Sequence, residues 1–385
     1  ICQNVPNEAC TVADIVNEFL KTSPIPPYNS KEHRGIWRTI TIRTSKRTGE
    51  CMLIIVHAPP SGGLGAKNDG TDDFSTSFES EKNRLAEMLK NKELGNTKRE
   101  YPEPPKSDTK ESEGDKDNTE TATTEIPEDQ NDQPIKVTSI FFQEYNGVSI
   151  PPPEHPVQHA FGKKTLHEKL GKCSFQISPG AFFQVNTECA EALYNVAVEK
   201  VKEVSDKPEE TLLFDVCCGT GTIGLTCMKE GVVGRVVGVD LSEPAIDDAK
   251  ANADLNGYTT KEDDPDQLTK FIASRAELVL GNELKKVKDS SLSVVAVVDP
   301  AREGLHPDVI KAIRGNEKIQ RLVYVSCNPA KTLVVDAGLL CQPPTKNYRG
   351  TPFKPVSAQP VDMFPLTPHC EMVMAFDRLE TDNEA

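Results

Sequence analysis

Leu212-Leu213-Phe214-Asp215-Val216-Cys217-Cys218-Gly219-Thr220-Gly221-Thr222 is an apolar run that enters a glycine-rich turn and then a helical pattern. A strand buried on both faces of a parallel sheet reads as such a run. Glycines let the next stretch of backbone pass close to a nucleotide-like ligand, and the helix N-terminus offers free N–H groups. Gly219, Gly221 and Gly224 give the spacing G-x-G-x-x-G, and Asp240 ends the following apolar run. A carboxylate about twenty residues beyond the turn can accept hydrogen bonds from both ribose hydroxyls. A nicotinamide dinucleotide meets these demands as well as other adenosine-bearing cofactors do.

Outward from this turn, strand and helix patterns alternate. Residues 236–239, 276–280, 294–298 and 322–325 take strand positions, and 223–229, 243–255 and 309–314 read as helices. Upstream, 187–204 reads as a helix with Ala190, Leu193, Tyr194 and Ala197 on one face. Alternation of this kind predicts a doubly wound, Rossmann-like α/β domain with a mostly parallel sheet over 173–385.

Residues 1–172 predict a smaller α+β domain. Val12, Ile15, Val16, Phe19 and Leu20 have helical spacing, and residues 36–57 read as a hairpin turning around 46–49. Residues 136–143 make a further strand, expected to pair with that hairpin. Between them, 59–134 reads as a disordered acidic insert: from Asp69 to Asp132 there are 19 acidic and 9 basic residues and few aromatics. That tract carries most of the net charge of −15, so a basic nucleic-acid surface elsewhere on the 385-residue chain is not excluded. Arg34, Arg38, Arg43, Lys46 and Arg47 of the hairpin region are candidates for phosphate contacts.

Eleven cysteines occur with no C-x-x-C pair, which argues against zinc or iron–sulfur ligation. Cys217, Cys218, Cys227 and Cys327 lie in or beside apolar runs, as reduced thiols do, and imply cytosol or nucleus. No run approaches the length of a membrane span. The chain opens at Ile1 rather than Met, as expected of a fragment.

The second half supplies polar groups at strand ends. Residues 294–298 end in Asp299-Pro300-Ala301-Arg302, residues 322–325 in Ser326-Cys327-Asn328-Pro329, and His369-Cys370-Glu371 precedes the apolar run 372–376. A nucleophile, a base and a cofactor acid can meet there in one crevice. Simpler roles exist for each: a free cysteine is ordinarily a small buried hydrophobe, Glu371 can be a solvated carboxylate, and Asp299 before a proline can cap a helix.

The ordered set F-F-Q-V-N (182–186), D-V-C-C-G-T-G (215–221), V-V-D-P-A-R-x-G-L (297–305), V-S-C-N-P (325–329) and H-C-E (369–371) resembles the RNA uracil-C5 methyltransferase family over residues 174–378. That resemblance implies S-adenosyl-L-methionine (SAM) as cofactor, contacted by Gln184, Cys217, Gly219, Thr222, Asp240 and Asp299. It implies Cys327 as nucleophile and Glu371 as base, uridine 54 in the T arm of tRNA as target, and no metal. The chemistry suits the residue types, because a thiolate adding to carbon 6 of uracil makes carbon 5 nucleophilic and a base must later remove the carbon 5 proton. Arg302 is placed to orient the uracil or a phosphate. The chain departs from the tRNA members at Ala301, a form found in ribosomal RNA members, and at Asp240, where glutamate is commoner. The rival functions are an RNA cytosine-C5 methyltransferase, a non-catalytic tRNA-binding or folding protein, and an NAD-dependent oxidoreductase.

Overall fold

The computed structural model describes residues 5–60, 73–95, 134–149, 151–152, 155–258, 268–286 and 292–380. The N-terminal part runs α1 (Asn7–Thr22), β1 (Trp37–Ser45), β2 (Glu50–His57), α2 (Asp73–Leu89), β3 (Glu93–Leu94), β4 (Ile135–Glu144) and β5 (Gln158–Gly162). β1 and β2 form the expected hairpin, with Ser45 opposite Glu50, and β4 joins the hairpin in parallel beside β2. α1 and α2 cover this sheet with Val12, Phe19, Phe78, Leu85 and Leu89.

Part of the segment expected to be a disordered insert is therefore ordered. Residues 73–94 hold α2 and β3, and Phe78, Leu85, Leu89 and Leu94 are buried. Phe78, Leu85 and Leu89 recur at helical spacing, a stripe hidden when composition is averaged over an acidic tract. Residues 61–72 and 96–133 of that segment lie outside the described residues.

β6 (Leu166–Leu170) and β7 (Cys173–Ile177) make a two-stranded hairpin, followed by α3 (Thr187–Lys202). Then come β8 (Thr211–Val216), α4 (Thr222–Lys229), β9 (Arg235–Asp240), α5 (Glu243–Leu255), β10 (Thr269–Ala273), α6 (Ala276–Lys286), β11 (Ser293–Val298), α7 (Pro307–Arg314), β12 (Ile319–Ser326), α8 (Thr332–Cys341), β13 (Phe353–Val361) and β14 (Glu371–Arg378). Residues 276–280, expected as a strand, are instead the first turns of α6, and the strand is β10 just before them. Ala276, Val279 and Leu280 face the core at helical spacing, which a five-residue window cannot separate from a buried strand.

The seven-stranded sheet has the order β10-β9-β8-β11-β12-β14-β13. β10 to β12 are parallel and the β13–β14 pair is antiparallel. Helices cover both faces: Leu213, Val295 and Val297 pack on one side, while Leu212, Phe214, Val216, Val294, Ala296 and Val298 pack on the other. Full burial of each Leu, Val or Phe among them contributes about 1.5–3 kcal/mol. Strand order reverses between β8 and β11, so the crevice beyond their carboxyl ends is where a ligand binds in this fold. Cys217-Gly221 and Asp299 lie at those two ends.

Candidate active site

The turn after β8 is tight because its side chains are small. Cys217 takes a left-handed φ of 62°, Gly219 one of 53° and Gly221 one of 80°. A Cβ at Gly224 would come within 2.9 Å of Asp215 Oδ2 and 2.8 Å of Val236 Cγ1, so that glycine sets the approach of α4 to the sheet. The Gly224 N–H donates to Asp215 Oδ2 at 2.9 Å. Asp215 Oδ1 is buried with no hydrogen-bond partner among the described residues. Around Gly219 the space is open, since nothing lies within 4 Å of a Cβ placed there. Asp240 holds the turn: its Oδ2 accepts the Gly219 N–H and its Oδ1 the Ser242 N–H, both at 2.9 Å. On the other side, Thr222 Oγ1 donates to the Tyr194 hydroxyl at 3.4 Å, and Gln184 hydrogen-bonds the same hydroxyl. Gln184, Cys217, Gly219, Thr222, Asp240 and Asp299 thus gather around the turn after β8 and the end of β11.

Asp299 follows β11, and its N–H donates to Val216 O at 3.2 Å. It caps no helix; α7 begins at Pro307 and is capped by His306. Burial, with the charges of Glu371 and Asp215 added, pushes the Asp299 carboxyl up to about 8. Burial also raises Asp215 to about 7, with Asp240 adding to the effect. Cys217 is pushed up to about 12 by burial and by Asp240, Asp299 and Asp215. A crevice this rich in carboxyl groups favours a ligand that carries positive charge.

The chemical end is built on β12 and β14. Ser326 and Met372 are the last pair of this antiparallel ladder, so Cys327, just after β12, and Glu371, the first residue of β14, lie at the same end of it. Glu371 is buried and its carboxyl is raised by that burial, with Arg302 opposing the rise. Cys327 is half-buried. Its thiol is raised by burial, Glu371 and Asp299, and lowered by Arg302. The Arg302 side chain is exposed, while the Asn328 amide donates to its backbone carbonyl at 3.1 Å, tying the thiol turn to the arginine loop. Asp336 of α8 holds the same loop from behind, accepting the Leu305 N–H at 2.8 Å and the Tyr324 hydroxyl at 2.7 Å.

Sequence reading passes over Asp336, and it places Tyr194 only on a helix face and Asn328 only in the thiol turn. Asp336 sits amid the apolar α8, and a lone buried acid in such a helix is the signal that marks it. The hairpin cations fare less well. Arg38 is spent on the Tyr145 and Gly147 carbonyls and stacks over Tyr28, Arg47 pairs with Glu191, and Arg43 lies near Asp248. Arg34 and Lys46 remain exposed.

A doubly wound sheet with a ligand crevice at its switch point, and a thiol and carboxylate beside it, defines a Rossmann-like methyltransferase domain. The chain matches the tRNA (uracil-5-)-methyltransferase family model over residues 157–375, more than half its length, and belongs to that family. It is 34% identical to tRNA (uracil-5-)-methyltransferase homolog A of Mus musculus, covering 98% of this chain and 51% of the relative. Homolog B of Homo sapiens is also 34% identical, with 98% of this chain and 62% of the relative covered. The chain spans about half the length of the homolog A relatives. Among solved structures, the Pyrococcus abyssi tRNA (uracil-54, C5)-methyltransferase in complex with S-adenosyl-L-homocysteine aligns with a TM-score of 0.58 at 22% identity. That alignment covers 96% of this chain and 66% of the archaeal one, and shows a shared fold.

Proposed function

We propose that this chain is the catalytic part of a SAM-dependent enzyme that methylates carbon 5 of uridine in tRNA, at position 54 of the T loop. The observation that carries this is the convergence of Cys327 and Glu371 at one end of the β12–β14 pair, with Glu371, Asp299 and Arg302 all near enough to act on the thiol. The crevice fits SAM on three counts: open space over Gly219, an Asp215 oxygen with no partner among the described residues, and clustered carboxyl groups suited to a cation. Gln184, Cys217, Gly219, Thr222, Asp240 and Asp299 would hold SAM, which when bound supplies an electrophilic methyl group.

The Cys327 thiolate adds to carbon 6 of uracil and moves electron density to carbon 5 as an enolate. Arg302 favours the thiolate electrostatically. After methylation, Glu371 accepts the carbon 5 proton, and elimination of the thiol restores the ring. Burial raises the basicity of Glu371, which suits it to that step. Because carbon 6 is shielded in stacked RNA, the target base is flipped out, at a cost of a few kcal/mol. The division of labour assigns RNA contact to residues 1–172 and chemistry to 173–385.

Incubation with SAM and a T-arm RNA bearing 5-fluorouridine at the target position tests this, because fluorine cannot leave as a proton does. A denaturation-resistant adduct, absent in Cys327→Ala, is expected. No adduct despite measurable binding of SAM and the T arm would overturn the covalent route on this RNA.

A further inference from the structure

Asp248 and Asn252 of α5 and its C-cap Asn256 lie at successive i, i+4 positions, and all three are buried. Each takes hold of one residue of the β7 segment. Ser178 donates its N–H and hydroxyl to Asp248 at 2.8 and 2.7 Å, the Gln176 N–H donates to Asn252 Oδ1 at 2.7 Å, and the Ser174 N–H to Asn256 Oδ1 at 2.9 Å. The match is geometric. Four residues of helix rise about 6 Å, close to the roughly 6.8 Å of two strand residues. β7 pairs with β6 along one edge, so Ser174, Gln176 and Ser178 turn their amides to the helix. A helix side-chain ladder thereby replaces a missing strand.

The middle rung does something more. Asn252, with no solvent exposure, also donates its Nδ2 to Thr220 O at 3.1 Å, inside the glycine-rich turn. The amide accepts from Gln176 and donates to Thr220 at once, which an ionised carboxylate cannot do. Asp248 faces donors alone, and a carboxylate suffices there. β7 continues through Ser178 to the 182–186 segment that carries Gln184, with the Ala181 N–H bonded to Ser178 O. One side chain therefore fixes the two backbone segments that border the crevice.

We propose that Asn252 is a positioning residue that sets the cofactor turn against the Gln184 segment. The proposal rests on the SAM-site reading above. Loss of the Thr220 bond leaves a buried carbonyl unsatisfied and lets the turn drift, with an expected drop in cofactor affinity of roughly tenfold or more.

The test is calorimetric titration of the whole chain with S-adenosyl-L-homocysteine. Asn252→Asp keeps the acceptor for Gln176 but sets a carboxylate against the Thr220 carbonyl. Its affinity should fall at pH 8 and recover towards pH 6, as the introduced carboxyl takes up a proton and can donate again. The wild-type chain should lack that slope. Asn256→Ala removes a rung that does not touch the turn; it should lower the melting temperature and leave affinity within about twofold. If Asn252→Asp unfolds, Asn252→Ser should show the same affinity loss with no recovery at low pH. Equal losses in Asn252→Asp and Asn256→Ala, or none in either Asn252 variant, would overturn the positioning role. A wild-type chain that binds no S-adenosyl-L-homocysteine would sink the SAM-site reading itself, and the proposal with it.

Discussion

Cys327 directly follows Ser326 and Glu371 directly precedes Met372, the last pair of the β12–β14 ladder, so 44 positions of sequence separation bring the thiol and the carboxyl group to the same end of the sheet. The same nearness sets their electrostatics, since Glu371 raises the Cys327 thiol.

Removing the base without removing its shape should stop the reaction after methylation. Glu371→Gln is expected to accumulate a covalent protein–RNA adduct on ordinary uridine with SAM present, with turnover reduced 100-fold or more. Denaturing gels and intact-mass analysis read this directly. Free turnover at near wild-type rate would show that another group takes the proton.

The pH profile follows from the thiol. Burial, Glu371 and Asp299 raise it, so the thiolate fraction grows as pH rises above neutrality, and adduct formation should accelerate with it. Arg302 opposes that rise. Arg302→Gln should therefore shift the rising limb of the single-turnover rate to higher pH, besides any loss of RNA affinity. An unshifted limb at saturating RNA would deny Arg302 this influence on the thiol.

Asp299 should cost the ligand-free fold stability at high pH. Its folded value near 8 lies above the ordinary carboxyl value of 3.8, so between these limits the native chain holds a proton that the unfolded chain has lost. By linkage, stability then falls as pH rises through that window. Asp299→Asn should raise the melting temperature by a few degrees at pH 8 and by less at pH 5. Differential scanning calorimetry decides it, and a gain no larger at pH 8 than at pH 5 would contradict the sign.

Phe78 tests whether α2 belongs to the fold. It is buried against Trp37 and His57, with ring centroids 5.3 and 4.9 Å away. Phe78→Ala should cost about 3–5 kcal/mol in urea unfolding of the N-terminal sheet. A loss below about 1 kcal/mol would mean that the helix packs only loosely.

Local patterns were readable before any coordinates. The apolar run to Val216, the glycine spacing and Asp240 announced the cofactor turn, because parallel strands buried on both faces and tight βα turns leave little choice of residue type. The same reasoning failed at 276–280, where a short apolar window fits helix and strand alike, and at 73–94, where charge masked a sparse apolar stripe. Cation-rich spacing on the hairpin suggested phosphate contacts, yet Arg38 and Arg47 spend their donors on the protein itself.

The sequence by itself determined the Rossmann-like class, the family and the residues able to do the chemistry, since these depend on residue type and short-range period. Tertiary structure alone decided that Cys327 and Glu371 share one end of the β12–β14 pair, that Asn328 and Asp336 brace the Arg302 loop, and that Asn252 joins β7 to the glycine turn. Those contacts arise from strand order and helix placement, which bring together groups dozens of residues apart, and no local pattern encodes such pairings.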